Sequence, residues 1–152
     1  MSAILLRLGI LVVIAACIWL LVWVARKYIE TRRQRALAAS APDFFSETAG
    51  TLSAAESAAK VRILAFSSAD CRQCKQLQEP ALRRVLEARG DMVALITVDA
   101  PSSPELTERY QVLTLPTTVV LDGNGKAHAV NYGFANSTRL LEQIDSVLCV
   151  HS

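Results

Sequence analysis

Residues Leu8–Ala25, LGILVVIAACIWLLVWVA, run for 18 positions without a charge. As a helix rising about 1.5 Å per residue the run is roughly 27 Å long, close to the hydrocarbon thickness of a bilayer. Three readings compete for such a segment: a cleaved signal peptide, a buried core helix and a membrane-spanning anchor. The run is longer than an ordinary signal-peptide core, only Arg7 precedes it, and the small residues of 36–41 follow a charged stretch, too late for an ordinary cleavage site. The segment is therefore read as an uncleaved anchor that meets membrane lipid through residues 8–25. Trp19 and Trp23 toward its end and Tyr28 just beyond suit the aromatic belt at a membrane interface.

Charge is divided unevenly along the chain. The formal net charge is +2, but residues 1–35 hold Arg7, Arg26, Lys27, Arg32, Arg33 and Arg35 against Glu30 alone, a balance of +5 that leaves −3 for the rest. The positive excess thus lies beside the apolar span, which argues against a nucleic-acid partner. Five of the basic residues follow the span directly, so the positive-inside tendency places the C-terminal side, and the soluble domain with it, in the cytoplasm. The same flank could also lie against anionic headgroups.

After the anchor and its basic flank, residues 1–35, the Ala- and Ser-rich stretch 36–59 with Pro42 and Gly50 reads as a linker, with Leu52–Ala59 as a short helical piece. Residues 60–152 suffice for one small domain with a single core. Val61–Phe66 and Met92–Val98 read as buried strands, and Arg72–Arg89 as a helix with Leu77, Ala81, Val85 and Leu86 inward and Gly90 at its end. Pro104–Tyr110 reads as a short helix with proline near its start. Thr117–Leu121 and Ala127–Tyr132 flank Asp122-Gly-Asn-Gly125, whose D-G and N-G pairs predict a hairpin. Asn136–Val150 reads as an amphipathic helix on Leu140, Leu141, Ile144, Val147 and Leu148. This order predicts an α/β fold, a mixed sheet flanked by helices, preceded by one N-terminal transmembrane helix.

Of the four cysteines, only Cys71 and Cys74 form a local pair, C-R-Q-C, at the junction of the first domain strand with its longest helix. A thiol there faces unpaired backbone N–H groups and the positive end of the helix dipole, both of which favour the nucleophilic thiolate. A second thiol one turn on can close a disulfide, so the pair can pass two electrons through a mixed disulfide. A structural bridge, two inert thiols or half of a zinc site are the competing readings. Zinc would need two more ligands from Cys149, His151 and His128, with Cys149 and His151 in a tail that can fray. No metal site is expected. Cys17, mid-span, and Cys149, read as a helix-end core residue, are assigned no chemistry.

From residue 60 to 150 the chain resembles the thioredoxin family. The resemblance rests on strand VRILAF, C-R-Q-C with Lys75, strand ALITVD ending at Asp99, Tyr110-Gln-Val-Leu-Thr-Leu-Pro-Thr-Thr, the hairpin LDGNGK, and Gly133 before the last helix. It implies a thioredoxin-like sheet and a disulfide oxidoreductase in which Cys71 attacks and Cys74 resolves. It also implies a cis proline at Pro116 beside the cysteines, with the backbone of Leu115 pairing with an extended substrate segment. Asp70 and Arg72, flanking Cys71, would tune its thiolate in opposite senses.

The chain also departs from the family. Asp70 stands at the position of the usual Trp before the motif, and Ser67 at that of another frequent Trp. Ala65 replaces the family's buried carboxylate and Leu95 its lysine partner, so a buried ion pair is lost as a unit. Cys74 is thereby left without that general base, and water or the leaving thiolate would have to take its proton. The helix proline falls at Pro80, one place later than usual, which predicts a kink there.

The expected function is a membrane-tethered reductase of disulfides in protein substrates. It would need no cofactor beyond its redox-active cysteine pair, and would be recharged by an electron donor that the sequence does not identify. Two alternatives are an extracytoplasmic thioredoxin-like domain serving cytochrome c or similar protein maturation, and a non-catalytic module holding Cu(I) or zinc on Cys71 and Cys74.

Overall fold

The computed structural model describes residues 2–38 and 59–150, which fall into two compact units, 1–34 and 35–152. The helical piece expected at Leu52–Ala59, apart from Ala59, the bulk of the linker and His151 lie outside the described residues.

The first unit is a single helix, α1, which runs Ser2–Ala38 into the start of the second. It contains no proline, and Gly9 is its one glycine, so nothing interrupts the backbone ladder. Its apolar stretch from Gly9 has a mean hydropathy of 2.4, and none of it is buried within the chain. By length and composition the helix can cross a membrane. Past the apolar stretch, cations fold back over the aromatic rings one turn earlier, with Lys27 Nζ 5.2 Å from the Trp23 ring and the Arg32 guanidinium 5.0 Å from that of Tyr28.

The second unit is built on four strands, β1 (Val61–Ser67), β2 (Val93–Asp99), β3 (Thr117–Asp122) and β4 (Ala127–Tyr132), in the order β2-β1-β3-β4. β1 runs parallel to β2 and antiparallel to β3, and β3 runs antiparallel to β4, so the sheet is mixed as expected. Among its described residues the unit also holds three α-helices, α2 (Glu79–Arg89), α3 (Pro104–Arg109) and α4 (Ser137–Val150). Each strand boundary lies within a residue of its sequence expectation, because runs of Val, Ile and Leu bounded by turn residues have little freedom to end elsewhere.

The alternation of the strands divides the core into two layers. Val61, Ile63 and Ala65 of β1 point to one side, with Val93 and Val120, and are covered by Leu82 and Val85 of α2 and by Leu140, Ile144 and Val147 of α4. Leu64, Phe66, Val98, Val119 and Leu121 point to the other, where Leu106 and Tyr110 cover them together with Ala36, which is fully buried. Helix α1 therefore extends three residues into the stretch read as linker, and its last turn belongs to the domain's core. Arg89 of α2 and Asp145 of α4 close the helical layer with two hydrogen bonds of 2.9 and 2.7 Å.

The hairpin turn owes its shape to Asp122. Its carboxylate accepts the N–H groups of Asn124 and Lys126 at 2.8 and 3.0 Å and lies 3.0 Å from His128 Nε2. Burial pushes this carboxyl up, but the N–H of Lys126, the His128 ring and the N–H of Asn124 outweigh burial and hold it below the usual carboxylate range.

Tyr110 is fully buried, its ring 6.2 Å from that of Phe66, and its hydroxyl has no hydrogen-bond partner among the described residues. Burial pushes its pKa from 10.0 to about 12. Tyr110→Phe removes that unsatisfied hydroxyl and is expected to leave stability unchanged or raise it by about 1 kcal/mol in urea denaturation. Because the folded state holds the proton more tightly than the unfolded state, the parent's stability is full below pH 10 and falls between pH 10 and about 12. The Phe variant should show a shallower fall over that window.

Candidate active site

The site begins where β1 runs out. From Ser67 the chain turns, Cys71 N–H donates to Ser68 O at 3.1 Å, and Lys75 reaches back to donate from Nζ to Ala69 O at 2.6 Å, so the loop before Cys71 is fastened from both ends. Cys71 and Cys74 are joined by a disulfide with S–S 2.05 Å and Cα–Cα 5.3 Å. The two sulfurs differ in access: Cys71 is half-buried, whereas Cys74 is only 3% exposed. The backbone N–H of Cys74 donates to Cys71 Sγ at 3.2 Å, which is the arrangement that stabilises a thiolate on Cys71 once the bond is reduced. Asp70 and Arg72 are both exposed and neither enters an ion pair among the described residues.

The helix that follows is not the uninterrupted one expected. Arg72 and Gln73 open the helix, Cys74–Gln78 form a wide π turn, and α-helix resumes at Glu79. The reason is Pro80, which has no N–H to offer the carbonyl of Gln76 and whose ring crowds it; opening the turn before the proline places it in the first turn of α2, where a missing N–H costs little. The deviation thus falls ahead of Pro80 rather than at it. The widened turn also changes which residue faces inward. Leu77, expected in the core, is 47% exposed, and Gln78 is buried at 2% exposure in its place.

A buried amide needs partners, and Gln78 has both. Its Nε2 donates to Ala135 O at 3.1 Å and its Oε1 accepts from Ala135 N–H at 3.0 Å. Two residues before Ala135, Gly133 has a φ of +82°, favoured by glycine, and its N–H donates to Pro116 O at 2.9 Å. The Leu115–Pro116 peptide is cis, with Leu115 half-buried and Pro116 buried. Gln78 was not singled out from sequence; the displaced Pro80 was the signal that the inward positions before it would shift.

Between the sheet and α2 lies a cavity of about 240 Å³. Ala65, Leu95 and Thr97 wall it on the sheet side, Cys74, Gln78, Glu79, Leu82 and Arg83 on the helix side, and Pro116 also lines it. Cys74 and Pro116, 42 positions apart in sequence, thus meet at one cavity, and Ala65 and Leu95 together help to form it. One other reading of the cysteines is revised: Cys149 is exposed rather than part of the core, while Cys17 lies exposed on the apolar stretch of α1. Among the described residues no three His, Cys, Asp or Glu side chains gather as a metal site.

Gln78→Leu would leave the N–H and C=O of Ala135 facing an apolar group. It should cost about 1–3 kcal/mol in urea denaturation, with faster amide hydrogen exchange at Ala135.

The family model for Thioredoxin matches residues 48–146. The chain is 28% identical over 93 residues to thioredoxin Y, chloroplastic, of Oryza sativa subsp. japonica, covering 61% of this chain and 54% of the relative. It is 32% identical over 85 residues to thioredoxin Y2, chloroplastic, of Arabidopsis thaliana, covering 56% of this chain and 50% of the relative. The chain therefore spans about half the length of the curated relatives it matches. Among solved structures it is similar to mitochondrial thioredoxin 3 from Saccharomyces cerevisiae in its oxidised form, with a TM-score of 0.51, 26% identity, and coverage of 59% of this chain and 81% of that one. With its strand-to-helix cysteine pair facing a cis proline and a family match over more than half its length, the chain belongs to the thioredoxin family.

Proposed function

We propose that the chain is a membrane-tethered thiol-disulfide oxidoreductase that reduces disulfides in protein partners. The observation that carries this reading is the asymmetry of the pair: a half-buried Cys71 whose sulfur accepts a backbone N–H, and a buried Cys74 bonded to it. In the reduced protein the Cys71 thiolate attacks a substrate disulfide, forming a mixed disulfide and releasing one substrate thiolate. Cys74 then attacks Cys71 Sγ, forming the Cys71–Cys74 bond and releasing the second. Leu115 and Pro116 offer the backbone along which the substrate strand lies. Asp70 and Arg72 adjust the charge around Cys71 with opposite sign. The cysteine pair is itself the redox group, no other cofactor is invoked, and an external electron donor returns it to the dithiol.

The tether is read from α1, whose apolar stretch has no protein cover within the chain, and which meets lipid through residues 8–25. The basic flank after the span supports a domain on the cytoplasmic side, joined by the linker of residues 36–59. No nucleic-acid partner is invoked, because the positive excess is confined to that flank.

Two measurements test this function. With the full chain in detergent, dithiothreitol as reductant and insulin as disulfide substrate, Cys71→Ser should lower turnover by about 100-fold or more; a Cys74→Ser variant reduced beforehand and freed of reductant should trap a covalent adduct with insulin that added dithiothreitol releases. Retention of activity in both variants would overturn the redox reading. A topology reporter fused after Ser152 should give a cytoplasmic signal; a signal from the outside alone would reverse the orientation.

A further inference from the structure

Closing the Cys71–Cys74 bond on a substrate requires the Cys74 thiol to lose its proton first. A thiol with an ordinary pKa of about 8.5 is mostly protonated at neutral pH, and Cys74 is only 3% exposed. The sheet residues that share its cavity, Ala65, Phe66, Ser67, Leu95 and Thr97, offer no carboxylate or imidazole to act as base.

The helix side does. Because the turn after Cys74 is a π turn, the residue whose N–H bonds to the Cys74 carbonyl is Glu79, five positions on, and not Gln78. Glu79 is thereby set one turn along from Cys74 and lines the same cavity. It is the one carboxylate among the cavity's lining residues, and Arg83, one further turn along, is the one cation. The other charged groups near the pair do not line the cavity: Lys75 is committed to Ala69 O, and Asp70 and Arg72 are exposed on the loop and first turn beside Cys71. At about 30 Å³ per molecule a cavity of about 240 Å³ has room for several waters, and Gln78, Thr97 and Glu79 supply them with polar partners. Glu79 also reaches solvent, where it can discharge a proton.

We propose that Glu79 is the proton acceptor of the resolving step, taking the Cys74 proton through water in this cavity. The inference rests on the oxidoreductase reading of Cys71 and Cys74. In the mixed disulfide the Cys74 S–H proton passes through water to the Glu79 carboxylate. The thiolate so formed attacks Cys71 Sγ, the Cys71–substrate S–S bond breaks, and the substrate sulfur leaves with the electron pair. The Cys71–Cys74 bond forms, two electrons have passed from the dithiol to the substrate, and Glu79 returns its proton to solvent. The widened turn thus supplies from the helix a carboxylate that β1 lacks at Ala65.

The test uses the full chain in detergent with Cys17→Ser and Cys149→Ser, so that the pair alone reacts, reduced beforehand and mixed with 5,5′-dithiobis(2-nitrobenzoate). The first thionitrobenzoate reports attack by Cys71, and the second reports closure by Cys74. Glu79→Gln should leave the first release unchanged and slow the second by about tenfold or more at pH 7. That deficit should fade toward pH 9.5, where hydroxide takes the proton, and Glu79→Asp should recover part of the rate. An unchanged second release at pH 7, or one slowed equally at every pH, would overturn the role of Glu79 while leaving the oxidoreductase reading intact. A parent protein that never releases the second thionitrobenzoate would overturn that reading itself.

Discussion

The second unit is organised by the burial of β1. Val61–Phe66 are all buried, and the strand is paired on one edge with β2 and on the other with β3. Its backbone groups are therefore satisfied by neighbours rather than by water, and its side chains alternate between the two layers of the core. A strand held on four sides has a fixed end, and Cys71 stands four residues beyond that end at Ser67. The position of the sulfur is thus set by the central strand rather than by the loop that carries it, and this is the precision that a reacting sulfur needs.

The helix on the other side of the pair shows how one displaced residue spreads through a site. Pro80 forces the turn before it open, and the open turn exposes Leu77 and buries Gln78. Gln78 then fixes Ala135, and Gly133, two residues earlier, bonds Pro116. An irregular turn, an apolar residue left in solvent and a buried amide are together one structural solution, because each follows from the position of the proline. The apolar pair Ala65 and Leu95 belongs to the same region, since Ala65, Leu95, Gln78 and Glu79 all line one cavity.

The strands were legible in the sequence because each is a short apolar run between turn residues, and the hairpin because Asp122-Gly-Asn-Gly125 has few other conformations available. The cysteine pair was legible because it sits at a strand-to-helix junction, where backbone N–H groups are free. The face of the helix after Cys74 was not legible, because apolar periodicity assumes a regular 3.6-residue turn and a π turn breaks that assumption. Reading Leu77 as inward followed the period; Gln78 could be placed only once the turn was seen. Cys149 was misplaced for a simpler reason: it lies on the last turn of α4, where Leu148 rather than its neighbour leans toward the core.

The contacts that complete the site around Cys74 and Gln78 span the chain. Gln78 and Ala135 are 57 residues apart, and Pro116 comes 42 positions after Cys74. During synthesis the two thiols therefore emerge well before the segments that will enclose them, and closing such distant contacts is the slow part of folding. Until β3, β4 and the loop to Ala135 are in place, Cys74 has the reactivity of a thiol in an open chain. The inequality between the two sulfurs belongs to the finished domain and not to the C-R-Q-C segment that contains them.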